Sequence, residues 1–568
     1  DTDVNLDGLV ANRETTHTYN DTSFRRVRRR FEFPELKKPG VYVVDFIGNG
    51  RSSRALIRKG KLKFLAKTGT AGQVFTVLDE KNQKVDDARI LLGGHEYVAD
   101  KSGEITVPFT HQPGRQPVVL VGWVSNPTAR DGEDAKKGRD GIPTYEYACL
   151  DYFQHEGEAF ALSAGIFVDR ESLLSRKKAT VVVRPQLTLN GTPVSTKLLE
   201  QVKLQIVSTD HDGVASSTEI PNFKLFEDRE STHEFSVPPR VQSLSFQLIG
   251  QVKVLSTNQT IALAANESFA FNEIDRTDKI EDLHLVRTSA GYFVELLGKT
   301  GEPKTSRPIQ IVVKHRDFRD PKHLTFKSDK SGRVSLGQLE DIVAITATGP
   351  EGTQHAWPIR PDEHVYSQSL HGRVGEVLTL PFVGWDSVPT APAVAKNSEG
   401  SGRSPNLRRE LSLLELRGDS FLTDRFENLS IKNGLITISG LKEGDYDLWL
   451  KSLNRHVRIR IAPGEAKHGY VLGNVRQLET KPLKALQVES VRADEKELVI
   501  QLSNANKFAR VHVFATRFAP AFPAGNHLAK ITQAEPYAIR TSPAESVYLA
   551  GRNIGDEDRY IIDRKYAK

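Results

Sequence analysis

The densest set of oxygen donors in the chain lies at its start, in DVNLDGLVANRE at residues 3–14. Asp3, Asn5 and Asp7 take alternate places, Gly8 sits where the backbone must turn, and Glu14 closes the span. A hard divalent cation asks for this spacing. Ca²⁺ gathers about six to eight oxygens, with side-chain ligands in the early odd positions, a glycine at the turn and a distant glutamate that clamps with both oxygens. Leu9 would offer its backbone carbonyl, Val10 would anchor the loop to an apolar neighbour, and a water would serve at Ala11. The expectation is one Ca²⁺ held by Asp3, Asn5, Asp7, Leu9 and Glu14.

The stretch resembles EF-hand and dockerin-type loops, a resemblance confined to these residues. It departs from them at both ends. No incoming helix precedes Asp1, and TTHTYNDTS after Glu14 is rich in β-branched and turn residues that make a poor exiting helix. The loop therefore reads as the remnant of a calcium unit, in a chain expected to continue before Asp1.

Other chemistry is not written in the sequence. ELLGKTGE holds Gly298, Lys299 and Thr300, but a phosphate-binding loop needs glycine where Phe293 stands. No G-x-S-x-G, H-E-x-x-H or C-x-x-C occurs. His355, His364 and His371 are spaced too widely for ligands on one helix. The reading is a protein that is not an enzyme, with no catalytic residue and no organic cofactor. RRVRRRF at residues 25–31 is the densest basic run; it is read chiefly as a strand facing solvent or neighbouring carboxylates, with an anionic-glycan contact or a processing site as alternatives.

Composition bounds the rest. The chain has 568 residues, 38% hydrophobic and 26% charged, which suits several globular domains. The net charge of +6 is mild for this length and does not argue for nucleic acid. No apolar run is long enough to span a membrane as a helix. Cys149 is the only cysteine, which excludes an internal disulfide framework and leaves the compartment open. Methionine is absent, where about a dozen would be ordinary.

The elements that must carry any site are strands. Four similar turns recur: ADKSGEITV at 99–107, TDHDGVASS at 209–217, SDKSGRVSL at 328–336 and SIKNGLITI at 430–438. Their glycines, Gly103, Gly213, Gly332 and Gly434, are 110, 119 and 102 residues apart. In each, Asp or Asn bends its own backbone, glycine supplies a positive φ, and an alternating run follows. A period near 110 residues is the size of one β-sandwich. Runs such as VFTVLDE, ATVVVRPQL, LSFQLIG, IQIVVKH, VRIRIA and ARVHVFA are short, rich in β-branched residues and bounded by turns.

Two stretches are similar to the modules of alpha-2-macroglobulin-like proteins. In residues 39–109, PGVYVVDF and VFTVLDEKNQKVDDARILL lead to YVADKSGEITVPF; in 292–339, YFVELLGKTGEP and RPIQIVVKH lead to SDKSGRVSLGQL. GLKEGDYDLWL at 440–450 is similar to the last hairpin of prealbumin-like modules. The resemblance implies stacked sandwiches in a secreted or envelope protein. It does not imply thioester chemistry, because Cys149 lies in YACLDYF and not in a Gly-Cys-Gly-Glu-Gln run.

The expected fold is mainly β: tandem immunoglobulin-like or macroglobulin-like β-sandwich modules behind a short N-terminal calcium loop. The expected order is a loop and basic linker at 1–36, modules at 37–165, 166–282 and 283–386, a flexible Pro/Ser/Gly linker at 387–408, a module at 409–483 and an incomplete one at 484–568. The expected function is a non-catalytic scaffold outside the cell, in the periplasm or at the cell surface, with a protein or cell-surface glycan as partner and one Ca²⁺. The alternatives are a macroglobulin-like protease-binding protein and an accessory region of a larger envelope enzyme.

Overall fold

The computed structural model describes residues 10–22, 29–36, 39–48, 51–125, 136–137, 143–271, 278–359, 366–382, 407–418, 420–432, 435–480, 486–494, 496–519, 524–528, 535–540, 548–553 and 564. It divides into two units, Asp1–Glu156 with Ile539–Lys568, and Gly157–Ala538.

The reason the chain forms sheets is visible in single strands. Val241–Val254 reads VQSLSFQLIGQVKV, and its Leu244, Phe246, Leu248, Gly250 and Val252 are buried while Ser245, Gln247, Ile249 and Gln251 between them are partly open. Successive side chains of a strand point to opposite faces, so this period of two produces one apolar face and one wet face. Two such faces packed together make a core. Each fully buried Leu, Val or Phe side chain contributes about 1.5–3 kcal/mol.

In the first unit, Lys63–Thr68, Gln73–Leu78 and Glu104–Val107 form one sheet. It faces a second sheet of His95–Val98, Arg89–Leu92, Gly114–Ser125, Pro143–His155 and Lys136–Lys137. Phe75, Val77, Ile90, Ile105, Leu120 and Phe153 fill the space between. Cys149 sits in that core, where its sulfur accepts from the Leu62 N–H at 3.3 Å, and it is structural. Gly40–Gly48, Arg51–Lys59 and Tyr548–Asn553 form a separate three-stranded sheet of the same unit.

The second unit holds three sandwiches. In the first, Phe160–Val168, Lys178–Leu189, Thr192–Val194 and Ser231–Ser236 face Ala215–Pro221, Glu200–Asp210, Val241–Val254 and Gln259–Ala270. In the second, Glu281–Thr288, Gly291–Gly298 and Arg333–Gly337 face Lys322–Lys327, Pro308–His315, Ile342–Thr348 and Gln354–Pro358. In the third, Leu378–Pro381, Leu435–Ile438 and Leu429–Lys432 face a five-stranded sheet centred on Gly444–Leu450 and Arg455–Ala462. Ser369–Arg373 joins that last sheet parallel to Arg455–Ala462, a pairing possible because the two strands are far apart in sequence.

The repeated turns hold these sandwiches together locally. Asp100, Asp210 and Asp329 each accept two backbone N–H groups on one carboxylate oxygen, from the residues two and four places on, at 2.8–3.0 Å. Gly103, Gly213 and Gly332 then donate back to those aspartates' carbonyls, and all three have positive φ. Gly434 lies outside the described residues. At Gly332 a side chain is excluded twice: φ is +75°, and a Cβ would lie 2.8 Å from the Leu296 carbonyl oxygen. Gly332→Ala is expected to lower stability by about 1–3 kcal/mol in a denaturant titration, from backbone strain and this close contact.

Candidate interaction surfaces

What positions the surfaces of the second unit is a C-terminal run that travels over all three of its sandwiches. ARVHVFA, expected as a strand, enters no ladder. Its alternation has a different use: Arg510 and His512 are half-buried against the protein while Val511 and Val513 face water, and Phe514 is 41% exposed. Arg510 Nη1 and His512 Nε2 both lie 3.1 Å from Glu230 Oε1. Burial opposes ionisation of Glu230, but the hydrogen bond from His512 and the charges of Arg510, His512 and Arg184 outweigh it, holding its carboxyl below the usual range. Burial likewise pushes Arg184 down against the pull of Glu230. Phe514 then meets Phe167 edge-on at 4.7 Å.

Farther on, Phe518 packs on His284 and the Ala519 N–H donates to the Leu285 carbonyl at 2.7 Å, which reaches the second sandwich. Ala524–Leu528 returns to the first, with His527 and Leu528 buried. Their backbone approaches so closely that a Cβ at Gly165 would lie 2.6 Å from the His527 carbonyl oxygen. Glu535 accepts from the Gln368 and Ser369 N–H groups at 2.6 and 2.8 Å, on the third sandwich. The Glu479 N–H donates to the Tyr537 carbonyl and the Tyr537 N–H to the Glu479 carboxylate, each at 2.8 Å, and the Tyr537 hydroxyl meets Thr192 at 3.1 Å.

A second clamp joins the second and third sandwiches. Arg316 holds Glu410 with both terminal nitrogens, at 2.8 and 2.6 Å, and Arg409 bridges Asp317 and Asp341 at 2.9 Å each. Two-pronged arginine–carboxylate pairing fixes direction as well as distance. Leu407–Glu410 overlaps only the last two residues expected as a linker, and the clamp is made by Arg409 and Glu410 of the expected module; residues 383–406 lie outside the described residues. Neither clamp was legible in advance, because their partners are up to 345 residues apart and no local pattern joins them.

The residues expected to hold calcium fall mostly beyond view. Asp3, Asn5, Asp7 and Leu9 lie outside the described residues, and Glu14 is exposed. Among the described residues no group of three or more His, Cys, Asp or Glu is placed to hold a metal ion. Of the basic run, Arg29 pairs with Asp21 and Arg30 with Glu32. His355 hydrogen-bonds Asp282 at 2.6 Å, whereas His371 is buried against Glu479 and Arg460, and the two share no site.

Residues 169–277 match the family model described as the AbpF third immunoglobulin-like domain, and they fall on the first sandwich of the second unit. The chain is built of immunoglobulin-like β-sandwich domains. Residues 1–60 match the AbpF first immunoglobulin-like domain, a span that includes the stretch read as a calcium loop. A curated relative, Actin-binding protein F of Dictyostelium discoideum, is 30% identical along an alignment that takes in 100% of this chain and 24% of that protein. The chain therefore spans about a quarter of the relative's length.

Among solved structures, the tetra-tandem repeat in the extending region of a large adhesion protein is similar at 10% identity, covering 56% of this chain and 82% of that one with a TM-score of 0.15. A structure of native alpha-2-macroglobulin from Escherichia coli spanning domains MG0-NIE-MG1 is similar at 10% identity, covering 57% of this chain and 97% of that one with a TM-score of 0.17. One expectation is corrected by the curated relative. A location outside the cell, in the periplasm or at the cell surface does not hold, because the protein similar to the whole chain binds actin, a cytoskeletal protein of the cell interior. The low cysteine content that left the compartment open is compatible with that interior.

Proposed function

We propose that the chain is a non-catalytic scaffold of immunoglobulin-like domains that binds actin. The observation that carries this reading is the likeness to Actin-binding protein F along the entire chain, together with the match of its third immunoglobulin-like domain to one continuous sandwich here. The clamps support a scaffold role physically. A load-bearing or spacing protein needs its domains held in fixed relation, and buried charge pairs with extended backbone bonding supply that within the second unit.

The reading is tested by co-sedimentation with actin filaments. The chain is expected to pellet with filaments in a saturable way and to stay in the supernatant without them. A chain that stays in the supernatant at filament concentrations in the tens of micromolar would sink it.

One Ca²⁺ at Asp3, Asn5, Asp7, the Leu9 carbonyl and Glu14 is proposed alongside, from the ligand spacing alone. Calorimetric titration is expected to show binding heat that disappears in Glu14→Ala. No heat, or equal heat in both proteins, rejects the site.

A further inference from the structure

Lys322–Lys327 is the outer strand of its four-stranded sheet, and all six of its residues are exposed. Its ladder with Pro308–His315 runs through six consecutive pairs without a register shift. Just beyond it the Ser328 N–H donates to the Arg307 carbonyl. Backbone groups of an antiparallel strand turn alternately to either side. Lys322, Leu324 and Phe326 therefore bond inward, while His323, Thr325 and Lys327 turn their N–H and C=O groups to the open edge. The core-facing side of this edge is apolar. Leu324 and Phe326 stand opposite the buried Ile311 and Ile309, yet they are 43% and 36% exposed. Among the described residues the facing sheet has three strands and leaves them uncovered. At the other edge of the same sheet, Gln354–Pro358 ends in a proline and its Trp357 is buried.

Basic side chains stand at both ends of the strand, Arg319 and Lys322 at one and Lys327 and Lys330 at the other. The rise of a strand puts Lys322 and Lys327 about 17 Å apart. Among the described residues none of the four is paired with a carboxylate. Asp320 and Asp329 leave residues 319–330 at four basic less two acidic, or +2, and Asp329 is engaged by its own turn. Between the ends, His323, Leu324, Thr325 and Phe326 carry no carboxylate or ammonium group. Edges that are merely blunted against pairing carry a bulge, a proline or charges along their length. This one has neither bulge nor proline, and its lysines are confined to the ends. It repels a basic strand and leaves an acidic-ended one as the match.

We propose that Lys322–Lys327 is a docking strand for an extended peptide segment of another protein, apolar at alternate positions and acidic at both ends. In an antiparallel pair, residues directly opposite each other lie on the same face. Read from its N-terminus, the segment would place an acid opposite Lys327 and an apolar residue opposite Phe326. A small polar residue would follow opposite Thr325, then an apolar one opposite Leu324, a polar one opposite His323 and an acid opposite Lys322. Main-chain bonds to His323, Thr325 and Lys327 supply affinity, and the two apolar residues cover Leu324 and Phe326. The acids fix register, because a slip of one residue would turn the apolar pair to the other face and part both charge pairs. The inference does not depend on actin binding.

Fluorescence anisotropy of the full chain with a labelled, end-blocked peptide, Gly-Ser-Glu-Val-Thr-Val-Thr-Glu-Ser-Gly, tests it. Binding should saturate with a Kd below about 1 mM at low salt. It should weaken at least about tenfold at about 0.5 M salt, where charge is screened within about 4 Å. Lys322→Glu with Lys327→Glu should also weaken it at least about tenfold. That doubly substituted chain should instead take up the peptide whose two glutamates are replaced by lysine, which the unaltered chain refuses; the exchange separates a charge effect from misfolding. Proline in place of the peptide's first threonine removes the N–H that meets Thr325 and should abolish binding. No Kd below about 1 mM, indifference to the paired substitutions, failure of the charge exchange, or equal binding of the proline peptide would each overturn the proposal. Sedimentation velocity of the chain alone should give the 63.2 kDa monomer. A dimer that the paired substitutions abolish would assign the edge to a second copy and overturn it as well.

Discussion

Glu230→Ala is expected to destabilise the second unit by about 3–5 kcal/mol, the cost of removing one partner from a buried charge cluster. Glu230 is the shared acceptor of Arg510 and His512, and it also offsets the half-buried Arg184. Without it, three basic side chains face one another with little water. The loss should be local first. Amide hydrogen exchange at Ala519, which donates to Leu285, should quicken, because the run through 510–519 loses its anchor on the first sandwich. Glu230→Gln keeps one acceptor for His512 and should cost less. A loss below about 1 kcal/mol with unchanged exchange at Ala519 would show that the run is held by Phe514 and the backbone instead. The pH dependence has a definite sign. The carboxyl of Glu230 is depressed in the folded chain, so its contribution is present above the ordinary glutamate range and is lost as pH falls through the folded value.

The second large effect concerns His371. Its ring is 5% exposed. Arg460 can only donate, so His371 Nε2 accepts from it at 3.1 Å and Nδ1–H donates to the Glu479 carbonyl at 3.0 Å. The ring is therefore neutral. Burial lowers its pKa first, the bond to Glu479 opposes that, Arg460 and Arg476 lower it further, and Glu535 opposes again; the result is about 4. An unfolded histidine titrates near 6.5. Between those values the unfolded chain binds a proton that the folded chain does not. Stability should thus fall by about 3 kcal/mol as pH drops from about 6.5 to about 4, and level off below. His371→Gln can make both hydrogen bonds without titrating, and its stability should be flatter across that window. Denaturant titrations at several pH values check this; identical slopes in the two proteins would remove His371 as the cause.

Legibility followed sequence distance. The repeated turns were readable because their chemistry is local: Asp329 bonds residues two and four places on, and Gly332 needs the positive φ that a side chain resists. Strands such as Val241–Val254 were readable because alternation alone sorts their two faces. The run at 509–515 showed the same alternation and was misread, since alternation reports that a chain is extended and not that it is paired. The Glu230 cluster and the Arg316 clamp carried no signal, because a charged residue in a strand-rich sequence looks the same whether it meets solvent or a partner 282 residues away. The location was misjudged for another reason: sandwich modules serve inside and outside cells, so fold alone does not choose.

The scaffold reading stands most directly on binding of the whole chain to filamentous actin. Co-sedimentation should be run at about 0.5 M salt, where non-specific charge interactions are screened, and at low salt. The account predicts a bound fraction that saturates with filament concentration and is absent without filaments. A chain that pellets equally without filaments, or never pellets with them at either salt, contradicts it.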